Sequence, residues 1–520
     1  GMGYVAGFNV PIVSRLKRKR YSWEEEADNE DALPSVIALE KPDEPLTKCS
    51  RRTEDVQVVI GSLTRAARGE AIGLGDLPLA IIAASLKPSD VFKLPAAGQA
   101  LAATLRRRRA AVDLGNARAQ SRDIMRLART GYFHINNFTL QEDLTSDELA
   151  ELVRVGFFSE TISTLSLHEA ALLPSASPLG VCTRLSNLDL SWCEKLEDIS
   201  GLASCKRLRS LSLTECNRLK AVQGLSGCTE LTTLYLNWCH RLVDISDLRG
   251  CRSLFFLDLT GNYRLAKLDG LGVCSGLRTL IVAKMPKLSD LSELARCAGL
   301  INLDASDCAR LADVSALGAC LALKNLSLSC CSSLRSVQGL GGCASLLELD
   351  LSGCGNLVDV SALGDCKNLE QLDLSNSPRL LDVSGLGTCR SLRDLDLFNC
   401  SRLTSLWPPG GCRELRTLNL SGCRQLADLS ALRCCSELTW LDLSVCDKLL
   451  DVSVLSQCNR LISLNMSNSL SLPDIRDLAS CERLHMLNVV DTNAGDAVDQ
   501  EESMEQSSSA LPEPRRPVEG

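Results

Sequence analysis

The sequence predicts an α/β solenoid in which short parallel strands alternate with short turns or 3-10 helices. A 23-residue repeat begins at Leu185 and returns without insertion or deletion to residue 489. Apolar residues occupy the same places in each of its fourteen copies, numbered here as positions 1 to 23. One such coil buries too little apolar surface to offset its conformational entropy, so coils must stack and share a core. A chain of 520 residues with 45% apolar content therefore predicts a stacked array.

Each repeat divides into a strand half and a return half. The strand half reads LxxLxL, with leucine at positions 1 and 4 of every copy, and predicts a short strand whose leucines face inward. The return half typically reads DVSxL, and its Asp and Ser can bond nearby backbone N–H groups and cap a short turn or one-turn helix. The strands and the return halves are thus expected on opposite faces.

Cysteine recurs at two repeat positions. Fourteen of the 26 cysteines stand at position 21, from Cys182 to Cys481, and nine more stand at position 9. Such cysteines behave as small buried hydrophobes, and a column of thiols in mutual reach would mispair in an oxidising compartment. The sequence therefore predicts reduced thiols and an intracellular, cytoplasmic protein. The KRKR run at residues 17–20 leaves a nuclear location open.

The stretch LDLSGCGNLVDVSALGDCKNLEQL, residues 349–372, resembles a leucine-rich repeat. Its DVSxL half is similar to the short repeats of bacterial internalins, and its LDLSxC half is similar to the cysteine-containing class. The combination most resembles the leucine-rich repeat proteins of trypanosomatids. The resemblance implies a horseshoe with parallel strands on the concave face, turns or 3-10 helices on the convex face, and a protein-binding role.

The segments outside the fourteen copies (residues 185–489) differ in composition. Residues 109–184 predict atypical capping repeats, centred on Leu114, Leu140 and Leu167. Residues 1–51 and 490–520 are rich in charge, proline and serine, and predict disordered segments.

Residues 52–108 predict a small helical module. Its run from Leu86 to Leu94 resembles an F-box, the adaptor-binding motif of cullin-RING ubiquitin-ligase receptors, although Leu74–Gly75 stands where that family has Leu-Pro. The resemblance implies that residues 74–105 bind a cullin adaptor. The implied contact residues are Ile82, Leu86, Pro88, Val91 and Leu94. The alternative is a helical cap that only shields the first coil.

The strand half should present a partner-binding surface on the concave face. Aromatic residues are scarce in the chain but gather in copies one to four, as an interface hot spot requires. The predicted contacts there are Trp192, Tyr235, Trp238, Phe255 and Phe256, with Trp440 as a second contact.

Aspartate recurs at position 5 of the strand half. The column includes Asp304, Asp350, Asp373 and Asp396, and a basic partner would relieve the repulsion within it. Alternatively, Asp is only part of the repeat consensus, and basic residues at position 2 offset its charge.

Several function classes are disfavoured. A net charge of −8 and a pI of about 5.4 argue against a nucleic-acid partner, and no apolar run of membrane-spanning length occurs. There is no phosphate-binding loop or nucleophile elbow, and the four histidines are scattered. We therefore expect no metal, no cofactor and no catalysis. The predicted function is substrate receptor of a ubiquitin ligase; the alternative is a cytoskeletal or phosphatase-directed scaffold.

Overall fold

The computed structural model describes residues 110–114, 133–139, 145–154, 162–469, 471, 475–490 and 492. These residues fall into two compact units, one ending at Met285 and the other beginning at Pro286. The predicted helical module at 52–108 lies outside the described residues, as do residues 1–51 and nearly all of the predicted tail at 490–520.

The first unit is built on parallel strands with one α-helix, α1 (Ser146–Arg154), between the second and third strands. The strands are β1 Ala110–Leu114, β2 Phe133–Thr139, β3 Thr164–Ser166, β4 Asn187–Asp189, β5 Ser210–Ser212, β6 Thr233–Tyr235, β7 Phe256–Asp258 and β8 Thr279–Ile281. The 3-10 helices of its return halves are Ser177–Val181, Ser200–Ser204, Leu225–Gly227, Ser246–Gly250 and Leu271–Val273. From β3 to β8 each strand pairs with the next one in register, residue i with residue i+23.

The second unit continues the same parallel pattern. Its strands are β9 Asn302–Asp304, β10 Asn325–Ser327, β11 Glu348–Asp350, β12 Gln371–Asp373, β13 Asp394–Asp396, β14 Thr417–Asn419, β15 Trp440–Asp442, β16 Ser463–Asn465 and β17 Met486–Asn488. Its 3-10 helices are Ser292–Arg296, Ser315–Ala319, Leu340–Gly342, Ser361–Asp365, Ser384–Thr388, Ser430–Cys434, Ser453–Gln457 and Arg476–Ser480. The predicted alternation of short parallel strands and 3-10 turns is confirmed in both units.

The coils before Leu185 become less regular toward the N-terminus. The 23-residue register already holds between β3 and β4, whereas the pairing of β1 with β2 shifts between Val112 and Asp113. Helix α1 begins at a capping box, in which Thr145 Oγ1 accepts the Glu148 N–H and the Glu148 carboxylate accepts the Thr145 N–H. Its buried face carries Leu149 and Leu152. A helix thus replaces the short turn that follows the strand in the regular copies.

The core is built from the repeated apolar positions. In the copy that begins at Leu346, the core side chains have no exposed surface: Leu346, Leu349, Leu351, Cys354, Leu357, Val360, Leu363 and Cys366. One copy departs from this pattern, because exposed Pro409 stands at position 18, where the other copies have leucine. Trp407, two residues earlier, is only 2% exposed and contributes to the core of this copy.

The repeated aspartates of the return halves cap the 3-10 turns as predicted. Asp244 Oδ1 accepts the backbone N–H of Ser246 at 2.8 Å, and Asp313 Oδ1 accepts that of Ser315 at the same distance. The hydrogen bond from the Ser315 N–H lowers the pKa of Asp313, since it favours the ionised carboxylate.

The buried cysteines link neighbouring coils. At position 9, Cys354 Sγ lies 3.2 Å from the backbone oxygen of Leu328 in the preceding coil, and at position 21, Cys366 Sγ lies 3.3 Å from that of Leu340. Asn262 stands at position 9 of its copy and donates the same hydrogen bond, to Leu236, at 3.0 Å. The cysteine is therefore a donor between coils as well as a small core residue. Burial raises the pKa of the Cys354 thiol to about 12, which keeps it protonated.

Position 8 turns the chain out of each strand through a left-handed backbone conformation. From Glu169 to Asn468, every residue at this position has a φ between 55° and 77°. From Glu169 to Gly261 and from Asp307 to Asn468 its N–H is bonded to the next coil, as Trp192 N–H is to the oxygen of Thr214. Asparagine and glycine tolerate this conformation, whereas a β-branched residue such as Val445 is strained there.

We expect Val445→Asn to stabilise the second unit by about 1 kcal/mol, because it removes the strain and keeps the N–H bond to Ser467. The reverse change, Asn468→Val at an exposed position 8, should destabilise by a similar amount. Circular dichroism melting curves would measure both changes. A lower melting temperature for Val445→Asn, together with an unchanged melting temperature for Asn468→Val, would contradict the assignment of strain to position 8.

Candidate partner-binding surface

A groove lined mainly by polar residue types runs across the strand face of the first unit, where the strand side chains that point away from the core are displayed. It has a volume of about 450 Å³ and extends from β3 to β7. We call it the strand-face groove. Its lining residues are Thr164, Leu165, Ser166, Asn187, Leu188, Asp189, Ser210, Ser212, Thr214, Tyr235, Asn237 and Asp258.

Small polar side chains in the groove are held by hydrogen bonds that cross from coil to coil. Ser191 Oγ donates to Asp189 Oδ1 at 2.5 Å and lies 2.6 Å from Ser212 Oγ in the next coil. Thr214 Oγ1 donates to Asn237 Oδ1 at 2.7 Å. These bonds fix the side-chain positions before a ligand arrives, which reduces the entropy lost on binding.

The carboxylate of Asp189 also lies beside a histidine. His168 Nδ1 is 4.0 Å from Asp189 Oδ2, and Ser166 Oγ donates to that same oxygen at 3.3 Å. A serine nucleophile requires its hydroxyl to be bonded to the base, whereas here the hydroxyl is bonded to the carboxylate. The arrangement orders the groove and does not form a catalytic dyad.

The predicted aromatic contacts do not share one surface. Tyr235 lies half-buried in the groove, with its ring centroid 5.1 Å from that of Phe256. Phe256 is only 3% exposed, so the prediction that it is an exposed contact is wrong: it packs beneath Tyr235 as part of the core. Trp192 is 47% exposed where β4 ends, and Phe255 is 39% exposed where β7 begins. The two exposed rings therefore lie on opposite edges of the strand face.

Trp238 belongs to a separate aromatic cluster beyond the ends of the strands. Its ring lies edge-on to Tyr263 at 6.1 Å and to His240 at 6.2 Å, and Lys284 Nζ lies 5.5 Å from its centroid. The sequence reasoning missed Tyr263 and His240. Their spacing in the sequence indicates that they are neighbours, since both stand at position 10 of consecutive copies.

The aspartate column is mostly buried. Asp304, Asp373 and Asp396 are 7%, 5% and 0% exposed, so their predicted role as exposed attractors of a basic partner is wrong. Each carboxylate accepts the backbone N–H two residues later, at 2.9, 2.8 and 2.8 Å respectively, and ends the strand. Asp350 is half-buried and makes the same bond to Ser352, and Trp440 is half-buried on β15.

Burial changes the acidity of this column. Loss of solvent, followed by the charges of Asp396 and Asp350, raises the pKa of Asp373 to about 7. Burial likewise raises the pKa of Asp396 to about 6, against the opposing hydrogen bond from the Phe398 N–H. These carboxyls contribute to stability when protonated, and that contribution is lost as the pH rises through their folded-state pKa values.

The predicted adaptor contacts Ile82, Leu86, Pro88, Val91 and Leu94 lie outside the described residues. Within the part of the chain that the structure covers, no group of three or more His, Cys, Asp or Glu side chains could hold a metal ion. None of the helices in that part has the length and apolar character needed to cross a bilayer. The 25 cysteines there carry no disulfide, and all are buried except Cys330 and Cys434.

No protein-family model and no curated protein matches the chain. Among solved structures, it is similar to a leucine-rich repeat protein from Leptospira interrogans, with 18% identity, a TM-score of 0.50, and 71% of this chain and 93% of the other covered. It is also similar to the internalin inlF from Listeria monocytogenes (21% identity, TM-score 0.45, 60% and 83% covered). A third is TLR13 in its complex with ssRNA13 (17% identity, TM-score 0.49, 77% and 60% covered).

The fold is a leucine-rich repeat solenoid. The register of 23 residues, the inward leucines and the 3-10 return halves define it, and the Leptospira protein shares the fold over most of both chains. At 18% identity the likeness concerns the fold alone.

We expect Asp373→Asn to stabilise the protein at pH 8 by about 1–3 kcal/mol and to have no effect at pH 4. The folded-state pKa of Asp373 is raised to about 7, so the buried carboxyl is charged, and unfavourable, only at the higher pH. Asparagine keeps the strand-ending bond, as Asn419 shows by accepting the Ser421 N–H. Melting temperatures at both pH values would test this, with exposed Asp365→Asn as the matched charge control. Equal shifts for the two variants at pH 8 would refute it.

Proposed function

We propose that the protein is a non-catalytic receptor that binds a partner protein in the strand-face groove. The observation that carries the proposal is the groove itself, which is open, is ordered by hydrogen bonds between coils and has Tyr235 in its lining. An aromatic ring with one polar end among small hydrogen-bonding groups suits an extended peptide segment.

Exposed aromatic residues support the same assignment. Trp192 and Phe255 provide large apolar surfaces on the two edges of the strand face that carries the groove. Such residues contribute most of the binding energy in many protein interfaces. In the second unit, Trp440 and Asp350 are proposed as a further contact surface, since neither is fully buried.

The finer proposal is that the bound protein is a substrate for ubiquitination. Its support is the F-box-like run from Leu86 to Leu94, which precedes the repeat array in the order typical of such receptors. The chain would then supply proximity rather than catalysis. Buried thiols at two positions of the repeat suit an intracellular location, where they stay reduced. The alternative is a scaffold with the same groove and no adaptor.

The groove assignment is tested by filling the groove. Ser210 lines it without a side-chain hydrogen bond in the described structure, so Ser210→Arg should block the groove and leave the fold intact. Proximity labelling in cells should identify proteins that label with the wild type and drop at least about tenfold with this variant. Ser204→Arg places the same charge on an exposed return half and is the matched control. Identical labelling by both variants would exclude the groove as the partner site.

The adaptor proposal is tested by co-purification of the full chain with a purified cullin adaptor. We expect the wild type to retain the adaptor and Leu86→Asp to lose it, because a charge would replace the apolar contact. Unchanged circular dichroism melting would show that the array stays folded. The wild type could fail to retain the adaptor while groove-dependent partners are still labelled. That result would contradict the adaptor proposal and support the scaffold alternative.

A further inference from the structure

A second cavity lies beyond the carboxyl ends of the strands, on the edge that carries the Trp238 cluster. It has a volume of about 500 Å³, and we call it the arginine pocket. Its lining residues are Glu194, Asn217, Arg218, His240, Arg241 and Arg264. They come from positions 10 and 11 of four consecutive copies, all within the first unit.

The pocket is basic. Arg218, Arg241 and Arg264 all stand at position 11, so stacking of the coils places three guanidinium groups in a column. Glu194 is the one carboxylate of the lining, and Glu197 lies beside Arg218, so the three guanidinium groups and these two carboxylates leave a formal charge of plus one. Arg218 Nη1 also lies 3.3 Å from Glu197, while Arg241 and Arg264 are exposed. Guanidinium groups in this arrangement suit an oxyanion, to which each can donate two parallel hydrogen bonds.

The floor of the pocket is rigid. The His240 imidazole stacks on Tyr263, with ring centroids 5.1 Å apart and planes 7° from parallel, and Trp238 lies edge-on to both rings. Gly261 makes this packing possible, because a Cβ there would lie 2.4 Å from the Trp238 ring. The imidazole is therefore held in one orientation before any ligand binds.

Two polar atoms of the lining are buried without a hydrogen-bond partner in the described structure. They are Asn217 Oδ1 and His240 Nδ1. A buried polar atom without a partner is costly, so a ligand that supplies one is favoured. The amide oxygen accepts only, and needs an N–H or O–H donor from the ligand. The arginines need anionic oxygens. The matching ligand carries a hydrogen-bond donor as well as anionic oxygens, and a peptide segment with an anionic side chain has these groups.

We propose that the arginine pocket binds a phosphorylated serine or threonine of a partner protein. The phosphoryl group carries a charge of about −1.5 to −2 at neutral pH, which is complementary to the exposed guanidinium groups of Arg241 and Arg264. The backbone N–H of the same segment supplies the donor for Asn217 Oδ1. The proposal rests on the proposed protein-binding function for the source of the phosphoryl group, and it adds a modification that the receptor reads.

A nucleic-acid strand fits the observations less well. Each of its phosphodiester groups carries one negative charge, less than a phosphorylated side chain, and a chain with a net charge of −8 opposes binding to a polyanion. An unphosphorylated acidic side chain carries one charge and fewer oxygens than a phosphoryl group. The test therefore includes a nucleic-acid strand and an unphosphorylated acidic compound as competing ligands.

The test is calorimetric titration of the full chain with N-acetyl-O-phosphoserine methylamide, which has the phosphoryl group and the backbone N–H donors. The other titrants are the unphosphorylated serine compound, the glutamate compound, inorganic phosphate and a decameric oligouridylate. The protein variants are Arg241→Ala and, as a matched control, Arg249→Ala, whose exposed side chain lies on the return half of the same copy. Both arginines are exposed, so neither change should unfold the chain.

We expect the phosphoserine compound to bind the wild type at least about tenfold more tightly than the serine and glutamate compounds, and more tightly than inorganic phosphate. Arg241→Ala should weaken this binding about tenfold or more, while Arg249→Ala leaves it unchanged. Equal weakening by both variants, or glutamate binding as tight as phosphoserine, would overturn the proposal. Tighter, Arg241-dependent binding of the oligouridylate would overturn it in favour of a nucleic-acid site.

The groove variant separates this proposal from the proposed function. Ser210→Arg lies on the strand face and should leave phosphoserine binding intact. Arg241-dependent phosphoserine binding without any groove-dependent partner would overturn the groove and support the pocket. If partners depend on the groove but phosphoserine does not bind, the proposed function is supported and the arginine-pocket proposal is overturned.

Discussion

The structure depends on the pairing of each coil with the next at a fixed offset of 23 residues. A strand of three residues cannot satisfy its own backbone, so its N–H groups are bonded to a neighbouring coil: Asn187 N–H donates to the oxygen of Ser163, and Ser210 N–H donates to that of Ser186. One residue inserted within a strand half would move the inward leucines of that coil to the other face of the strand. The strictness of the repeat follows from this backbone requirement together with the shared core.

The same requirement explains features that look unrelated in the sequence. The backbone must turn sharply where it leaves the strand while its N–H is still bonded to the next coil. Position 8 makes this turn with a positive φ even where the residue is Trp192 or Glu215. The turn exposes backbone oxygens of position 6, and the residue at position 9 of the next coil donates to them. Cys354 and Asn262 perform this task with different side chains. Cysteine combines a weak donor with apolar character, which asparagine does not.

The sequence was sufficient for the fold, because the repeat fixes the period and the leucines fix the faces. It was not sufficient for the exposure of individual side chains. Phe255 and Phe256 are adjacent and equally apolar, yet Phe255 is exposed and Phe256 is covered by Tyr235. The reason is that Phe256 lies in β7, next to the strand of Tyr235, whereas Phe255 precedes β7. Asp373 looks like a surface charge in the sequence. Its burial follows from packing of neighbouring coils and from a backbone N–H two residues away, which a single sequence does not display.

The groove and the arginine pocket occupy the same coils, and this follows from the solenoid. The strand that carries Ser210 and Ser212 leads, within one copy, to Arg218, and the strand that ends at Tyr235 leads to Arg241. Two weak sites on one rigid frame act in concert, because binding at the first raises the effective concentration of the ligand at the second. Neither the groove hydroxyls nor a single phosphoryl group needs to provide high affinity alone. A partner would be held firmly only when its sequence fits the groove and its modification fits the pocket, which makes the combination selective.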